Sequence, residues 1–190
     1  MKPFPGERLQ NLLSHPNALT LYRIAVVPLI VVLMLFPNRF CTALAALLFS
    51  AAAITDFLDG FYARSRGLES TFGRIMDPLA DKLLVSSTLI MLAYYQWVPA
   101  WMVCIIVGRE IAVTGLRNFI SENSKDVSSS VLGKYKTGFQ IAALIPLLFH
   151  YSYFGVDLHA IGTLYIWVAL ALTIWSGMDY FIRNRALLVT

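Results

Sequence analysis

Four aspartates have the type and spacing to do chemistry: Asp56, Asp59, Asp77 and Asp81. At about 100° per residue, the first two share one stripe of a helix and the last two share one stripe of a second helix. Two such helices, joined antiparallel by a short loop, can point all four carboxylates into one pocket, where the negative charges repel. A hard divalent cation such as Mg²⁺ or Mn²⁺ removes that repulsion and commonly shares its oxygen ligands with substrate phosphates. The spacing therefore predicts a metal site.

Small residues lie on the same two stripes. Gly60 and Ala63 follow Asp59, and Gly73 precedes Asp77. Such residues leave room for a ligand or another backbone to approach closely. Ionisable groups at membrane depth are costly, so a functional role is the default expectation. The alternative is a pair of helix ends that carry solvated acids.

The elements that must position these residues are strongly apolar. Of the 190 residues, 58% are hydrophobic, and the mean hydropathy is +0.67, which is too apolar for a soluble domain of this size. Stretches long enough to span a bilayer occur at about 18–36, 40–58, 77–95, 98–117, 136–153 and 160–181. We therefore expect an all-α integral membrane protein with six transmembrane helices.

The chain is expected to form a single domain over 1–190, with the six-helix bundle at 17–182. Residues 1–16 are predicted to form a juxtamembrane segment with a helix lying at the membrane surface, and a disordered tail is the alternative.

Basic residues set the predicted orientation. With the N-terminus inside, most of the Lys and Arg residues lie on the cytoplasmic side, and only Arg39 is clearly outside. Both termini and the acidic site are then cytoplasmic, in a multi-pass protein of the cell membrane. The pI of about 9.2 reflects this topology and attraction to anionic lipid, not nucleic-acid binding. His150, Asp157 and His159, in the loop before the sixth helix, are expected to be interfacial or solvated.

A second candidate site is basic. Arg109 lies about 15 Å from the outer end of the fourth stretch, too deep to reach the interface, so it needs a partner. Glu110 is on a different face, so we expect Arg109 to pair with an aspartate of the site or a substrate phosphate. Together, Arg109, Arg117, Lys134 and Lys136 predict a cationic pocket for an anionic acceptor next to the metal site. Lysines at a cytoplasmic helix end are also expected from topology alone.

The acidic stretch resembles the signature of the CDP-alcohol phosphotransferase family. The matching pattern is Asp56-x2-Asp59-Gly60-x2-Ala63-Arg64-x8-Gly73-x3-Asp77-x3-Asp81, which agrees at all eight fixed positions. The resemblance implies an enzyme in which an alcohol attacks the β-phosphorus of a CDP-linked lipid and releases CMP.

The resemblance also implies roles for single residues. Asp56, Asp59 and Asp77 would hold metal at the diphosphate, and Asp81 would take the proton of the attacking hydroxyl and contact metal as well. The nucleotide would be lined by Gly60, Ala63, Gly73 and Arg64, of which Arg64 faces a phosphate or a neighbouring acid.

Other segments resemble one bacterial branch of the family. They are PNALTLYRIAVVP, DPLADKLLV, GREI and GKYKTGFQ. This resemblance implies CDP-diacylglycerol and sn-glycerol 3-phosphate as substrates and a homodimer as the assembly. It also implies that the segment carrying Asn17, Thr20 and Arg23 borders the nucleotide. From the residues alone, Asn17 is a natural N-cap and Arg23 could simply extend to the cytoplasmic interface.

Alternatives remain open. Inositol phosphate and, as in a cardiolipin synthase of this family, phosphatidylglycerol are acceptors that would also need a cationic pocket. From other classes, an intramembrane prenyltransferase usually has two Asp-rich motifs on a longer chain. A cation transporter would arrange its acids along a path across the membrane. Release of CMP separates the transferase from both.

Overall fold

The computed structural model describes residues 15–66, 71–122, 131–153 and 155–183, with side chains described over 20–55, 76–120, 135–153 and 155–183. Within those ranges the regular secondary structure is helical apart from one short hairpin. The elements are α1 His15–Met34, α2 Arg39–Arg66, α3 Thr71–Tyr94, α4 Ala100–Glu122, α5 Val131–Phe149, β1 Ser152–Tyr153, β2 Val156–Asp157 and α6 Leu158–Arg183. The predicted surface helix falls on residues 1–14, outside the described residues.

Each helix overlaps most of one predicted apolar stretch, and α2 and α3 extend beyond theirs on the side of the acidic residues. Helix α2 continues to Arg66, past the predicted apolar end at residue 58, and α3 begins at Thr71, ahead of Asp77. The backbone around both acidic stripes is therefore helical. Helix α1 begins at His15, so Asn17 is inside the helix and is not its N-cap, contrary to expectation.

The chain divides into two compact units, residues 1–88 and 89–190. In the first unit, α1 packs against α2. Helix α2 is started by Asn38, whose Oδ1 accepts hydrogen bonds from the backbone N–H groups of Phe40 and Cys41 at 3.1 and 2.9 Å. Its buried face includes Ala45, Ala46 and Ala52, small residues that allow close helix packing.

In the second unit, α6 packs against both α5 and α4. The α5–α6 contact is close at Gly162, where a Cβ atom would lie 2.6 Å from Cγ of Leu147. The antiparallel hairpin that joins the two helices pairs Ser152 with Asp157, and Gly155 adopts a φ of +78° in its turn. Helix α6 then begins with the Asp157 Oδ1 atom accepting a hydrogen bond from the Ala160 N–H at 3.1 Å.

Apolar side chains also cover the outside of the helices. Leu29, Leu47, Ile90, Ile111 and Trp175 are all exposed. Among the described side chains, Leu158–Arg183 is the one helix both long and apolar enough to cross a membrane, and Thr20–Met34, Arg39–Thr55 and Tyr135–Phe149 are shorter apolar helices.

Candidate active site

Asp77 and Asp81 are brought together by α3. They are four residues apart on one helix, so their side chains lie one turn apart on the same face. Arg23 of α1 lies against both: its Nη2 is 3.1 Å from Asp77 Oδ1, and its Nη1 is 2.5 Å from Asp81 Oδ1. Thr20, one turn earlier on α1, donates its hydroxyl proton to Asp77 Oδ1. Two turns of α1 thus hold the two carboxylates side by side.

The members of this cluster differ in burial. The side chain of Arg23 is 2% exposed, whereas those of Asp77 and Asp81 are 41% and 42% exposed. The alternative that Arg23 extends to the interface is therefore wrong, because the guanidinium is buried and paired. A buried charge is tolerated only when it is paired and hydrogen-bonded, and here the pairing leaves the acids accessible to a ligand.

The other residues of the acidic signature have described backbones only. Asp56, Asp59, Gly60, Ala63 and Arg64 lie on α2. Gly73 lies on α3 and Asn17 on α1. Their side chains lie outside the described set, so the convergence of all four carboxylates remains a prediction.

The described part of the site fits a hard divalent cation. Arg23 engages one oxygen of each carboxylate, and both acids are more than a third exposed. Carboxylate oxygens are the donors that Mg²⁺ and Mn²⁺ prefer. Among the described side chains these two acids share Arg23.

A second polar cluster lies in the other unit, around Glu110 of α4. Its Oε1 atom forms an ion pair with the Lys136 ammonium of α5, and it lies 3.3 Å from Nη1 of Arg109. The expectation that Arg109 does not pair with Glu110 is wrong, whereas its pairing with an aspartate of the site or with a substrate phosphate stays a prediction. Neighbouring helical residues do diverge, but the long arginine side chain bends back to the adjacent carboxylate.

Helix α6 completes this cluster. Nη2 of Arg109 donates a hydrogen bond to Ser176 Oγ at 3.0 Å, and the Ser176 hydroxyl donates in turn to the Thr173 carbonyl at 3.2 Å. Lys136 and Ser176 are buried, and Arg109 and Glu110 are half-buried. Arg117 is exposed on α4, and Lys134 lies in the first turn of α5 with only its backbone described.

Sequence reasoning missed the pairing of Arg23 with Asp77 and Asp81, and it missed Glu110 and Ser176 as parts of the second cluster. A usable signal was present for two of them, since Arg23 and Glu110 are ionisable residues inside otherwise apolar helices and must find partners. Ser176 has no comparable signal, because a serine in an apolar helix is also satisfied by its own backbone.

A third, mainly neutral cluster joins the loop after α3 to the start of α6. His150 stacks on Trp97 with ring centroids 3.6 Å apart and lies 4.8 Å from the ring of His159. Burial lowers the pKa of His150 from its ordinary value, and the neighbouring His159 lowers it further, while Asp157 opposes both. His150 is thus half-buried among aromatic rings, and its expected interfacial or solvated role stays a prediction.

Comparison with known proteins places this geometry in context. The sequence profile of the CDP-alcohol phosphatidyltransferase family matches residues 13–175. A protein of Bacillus subtilis named CDP-diacylglycerol--glycerol-3-phosphate 3-phosphatidyltransferase is 41% identical over 187 residues, covering 92% of this chain and 97% of its own. Proteins with the same name from Rickettsia typhi and Shigella flexneri serotype 5b are 41% and 34% identical, covering 87% and 90% of this chain and 94% of their own chains in each case.

Proposed function

This chain belongs to the CDP-alcohol phosphatidyltransferase family, and from that premise we propose that it makes phosphatidylglycerophosphate. It transfers the phosphatidyl group of CDP-diacylglycerol to sn-glycerol 3-phosphate and releases CMP. The structural observation that carries this function is the pair of accessible carboxylates, Asp77 and Asp81, that Arg23 holds side by side on the helix bearing the family signature.

The family is generally dependent on a divalent metal. In this chain the proposed ligands are Asp56, Asp59 and Asp77, with Asp81 as a further contact and Mg²⁺ or Mn²⁺ as the metal. Such a cation, when bound, neutralises diphosphate charge and favours departure of CMP. Arg23 and Thr20 fix the rotamer of Asp77, so the carboxylate is oriented before any ligand arrives.

Asp81 is the proposed general base. Arg23 binds its Oδ1 atom, and the carboxylate of Asp81 is proposed to accept the proton of the acceptor hydroxyl. The oxygen of that hydroxyl then bonds to the β-phosphorus, the bond from phosphorus to the CMP oxygen breaks, and CMP leaves with the electron pair. The nucleotide would lie against Asn17, Thr20, Gly60, Ala63, Arg64 and Gly73.

The acceptor phosphate is proposed to bind Arg109, Arg117, Lys134 and Lys136. Glycerol 3-phosphate carries a phosphate monoester, which calls for arginine forks and lysine charge. The described part of this set supports the proposal, because Arg109 and Lys136 are brought together at one acid, Glu110.

The surroundings of the site are proposed from composition and family. The six helices are proposed to be transmembrane, in a single domain with an N-terminal interfacial helix. Both termini and the active site would face the cytoplasm, where nucleotide-linked substrates are found. A homodimer in the cell membrane is the proposed assembly.

The test is CMP release by the purified, detergent-solubilised protein with CDP-diacylglycerol and Mg²⁺. Glycerol 3-phosphate, inositol phosphate and phosphatidylglycerol are compared as acceptors, with an EDTA-treated sample as the metal-free control. Release with glycerol 3-phosphate alone is the expected result. Release with another acceptor would keep the chemistry and change the substrate, and no release with any acceptor would contradict the proposed function.

A further inference from the structure

Glu110 is an acid among the cations that are proposed to bind the acceptor phosphate. Glu110 carries the charge that a phosphate carries, yet its carboxylate lies between two of the proposed phosphate-binding cations, Arg109 and Lys136. Without it, those cations would repel each other in surroundings where their side chains are only 13% and 3% exposed. Glu110 therefore removes the cost of keeping two cations close together before the acceptor binds.

The Arg109 side chain is also held from the opposite side by α6. Ser176 Oγ accepts a hydrogen bond from Nη2 at 3.0 Å, and the next residue, Gly177, lies under the aliphatic stem. A Cβ atom at Gly177 would be 3.1 Å from Cγ and 3.6 Å from Nε of Arg109. The absence of a side chain at this position is what allows the arginine to lie flat against α6.

These contacts fix the guanidinium without using all of it. Arginine has five N–H donors in one plane. The bonds to Glu110 and Ser176 engage one donor on each Nη, which defines the plane of the fork. A fork of defined plane binds a phosphate with less loss of side-chain entropy than a free one.

We propose that Glu110, Ser176 and Gly177 are positioning residues for acceptor recognition, which hold the Arg109 fork and Lys136 ready for the phosphate of the acceptor. The inference rests on the proposed function, since it takes Arg109 and Lys136 as acceptor ligands. It adds a role for the terminal helix, α6, in acceptor specificity.

The sharper variant is Gly177→Ala, because alanine forms helices better than glycine and the fold should persist. The added methyl group must push the Arg109 stem by a few tenths of an ångström. The expected result is a KM for glycerol 3-phosphate raised roughly fivefold to tenfold, with kcat and the KM for CDP-diacylglycerol within about twofold of wild type. The matched control is Gly108→Ala, beside Arg109, where a Cβ atom meets nothing within 4 Å.

The charge variant is Glu110→Gln, which keeps the shape and removes the counter-ion. The acceptor KM should rise at least tenfold, since Arg109 and Lys136 then repel each other. Asp179→Asn is its control, because Asp179 pairs at 2.7 Å with the exposed Arg183 on the same unit. A lowered acceptor KM in Glu110→Gln would show that the acid competes with the phosphate and would overturn the proposal.

The two proposals fail differently. No CMP release by the wild-type protein with any acceptor would overturn the proposed function. CMP release by wild type together with an unchanged acceptor KM in Gly177→Ala would overturn only the positioning role, and this variant decides the matter if Glu110→Gln does not fold.

Discussion

The two charged clusters have opposite compositions. In the first unit one cation, Arg23, lies between two acids, Asp77 and Asp81. In the second unit one acid, Glu110, lies between two cations, Arg109 and Lys136. Arg23 thus keeps two acids close together, and Glu110 keeps two cations close together. The proposed ligand of the acidic cluster is a cation, and that of the basic cluster is an anion.

The clusters also differ in accessibility. The two acids are about two-fifths exposed, whereas the side chains of Lys136, Arg109 and Glu110 are 3%, 13% and 19% exposed. An accessible acid pair can bind a metal from solvent while it stays in contact with Arg23. An enclosed basic cluster interacts more strongly with a compact anion because screening by water is weaker there. These differences fit the proposed roles, in which the first cluster serves turnover and the second selects the acceptor.

The largest effect is expected on CMP release, from removing the charge of Asp81 in the first cluster. Asp81→Asn removes the proposed base and should lower CMP release by roughly 10³-fold or more, while metal-dependent binding of CDP-diacylglycerol is largely retained. Steady-state CMP release and a separate binding measurement test this, with Asp179→Asn as the control carboxamide. Wild-type rates in Asp81→Asn would remove Asp81 from the role of base.

The next largest effect is expected on stability, from removing Arg23, the cation of the first cluster. Arg23→Met leaves two adjacent acids without their buried cation, a change that typically costs about 3–5 kcal/mol for a buried pair and less here because the acids are partly exposed. We expect a lower melting temperature without metal and a larger stabilisation by added Mg²⁺ than in wild type, since the metal then supplies the missing charge. Thermal unfolding in detergent with and without Mg²⁺ tests both.

The control for Arg23→Met is Arg183→Met, which breaks an exposed ion pair worth about 1 kcal/mol or less. If Mg²⁺ stabilises the Arg23 variant no more than it stabilises this control, then Arg23 does not share its carboxylates with the metal.

The sequence alone predicts the helices of this protein but not the partners of its buried charged side chains. The helices were predictable because each overlaps most of one apolar stretch of the sequence, and the helical backbone at Asp56, Asp59, Asp77 and Asp81 followed from their spacing. The ion-pair partners of the charged side chains were not predictable. Periodicity tells which face of its own helix Arg23 or Arg109 occupies, but it does not tell which neighbouring helix packs there. The pairing of Arg23 with Asp77 and that of Glu110 with Lys136 both depend on contacts between helices.

A smaller effect, on the KM for the acceptor, is expected at Arg117, an exposed residue among the proposed acceptor-binding cations. Arg117→Ala should raise the KM for glycerol 3-phosphate roughly tenfold and that for CDP-diacylglycerol less. Initial rates with each substrate varied in turn measure the split. Equal changes in the two KM values would show that Arg117 belongs to no acceptor pocket, and the second cluster would then be confined to its enclosed members.

The smallest effect is expected at His150, which serves as a neutral reference for the two charged clusters. Because burial lowers the pKa of His150, the unfolded chain binds the proton more readily than the folded one. Stability from this group is then present above the ordinary histidine pKa of about 6.5 and is lost as the pH falls below it.

His150→Asn keeps a residue that tolerates the φ of +56° and removes the titrating ring. Its melting temperature should therefore fall less than that of wild type between about pH 7.5 and 5.5, with both KM values unchanged at pH 7.5. Identical pH slopes would show that His150 does not titrate with folding, and a changed acceptor KM would mean that selection of the acceptor extends beyond the enclosed basic cluster.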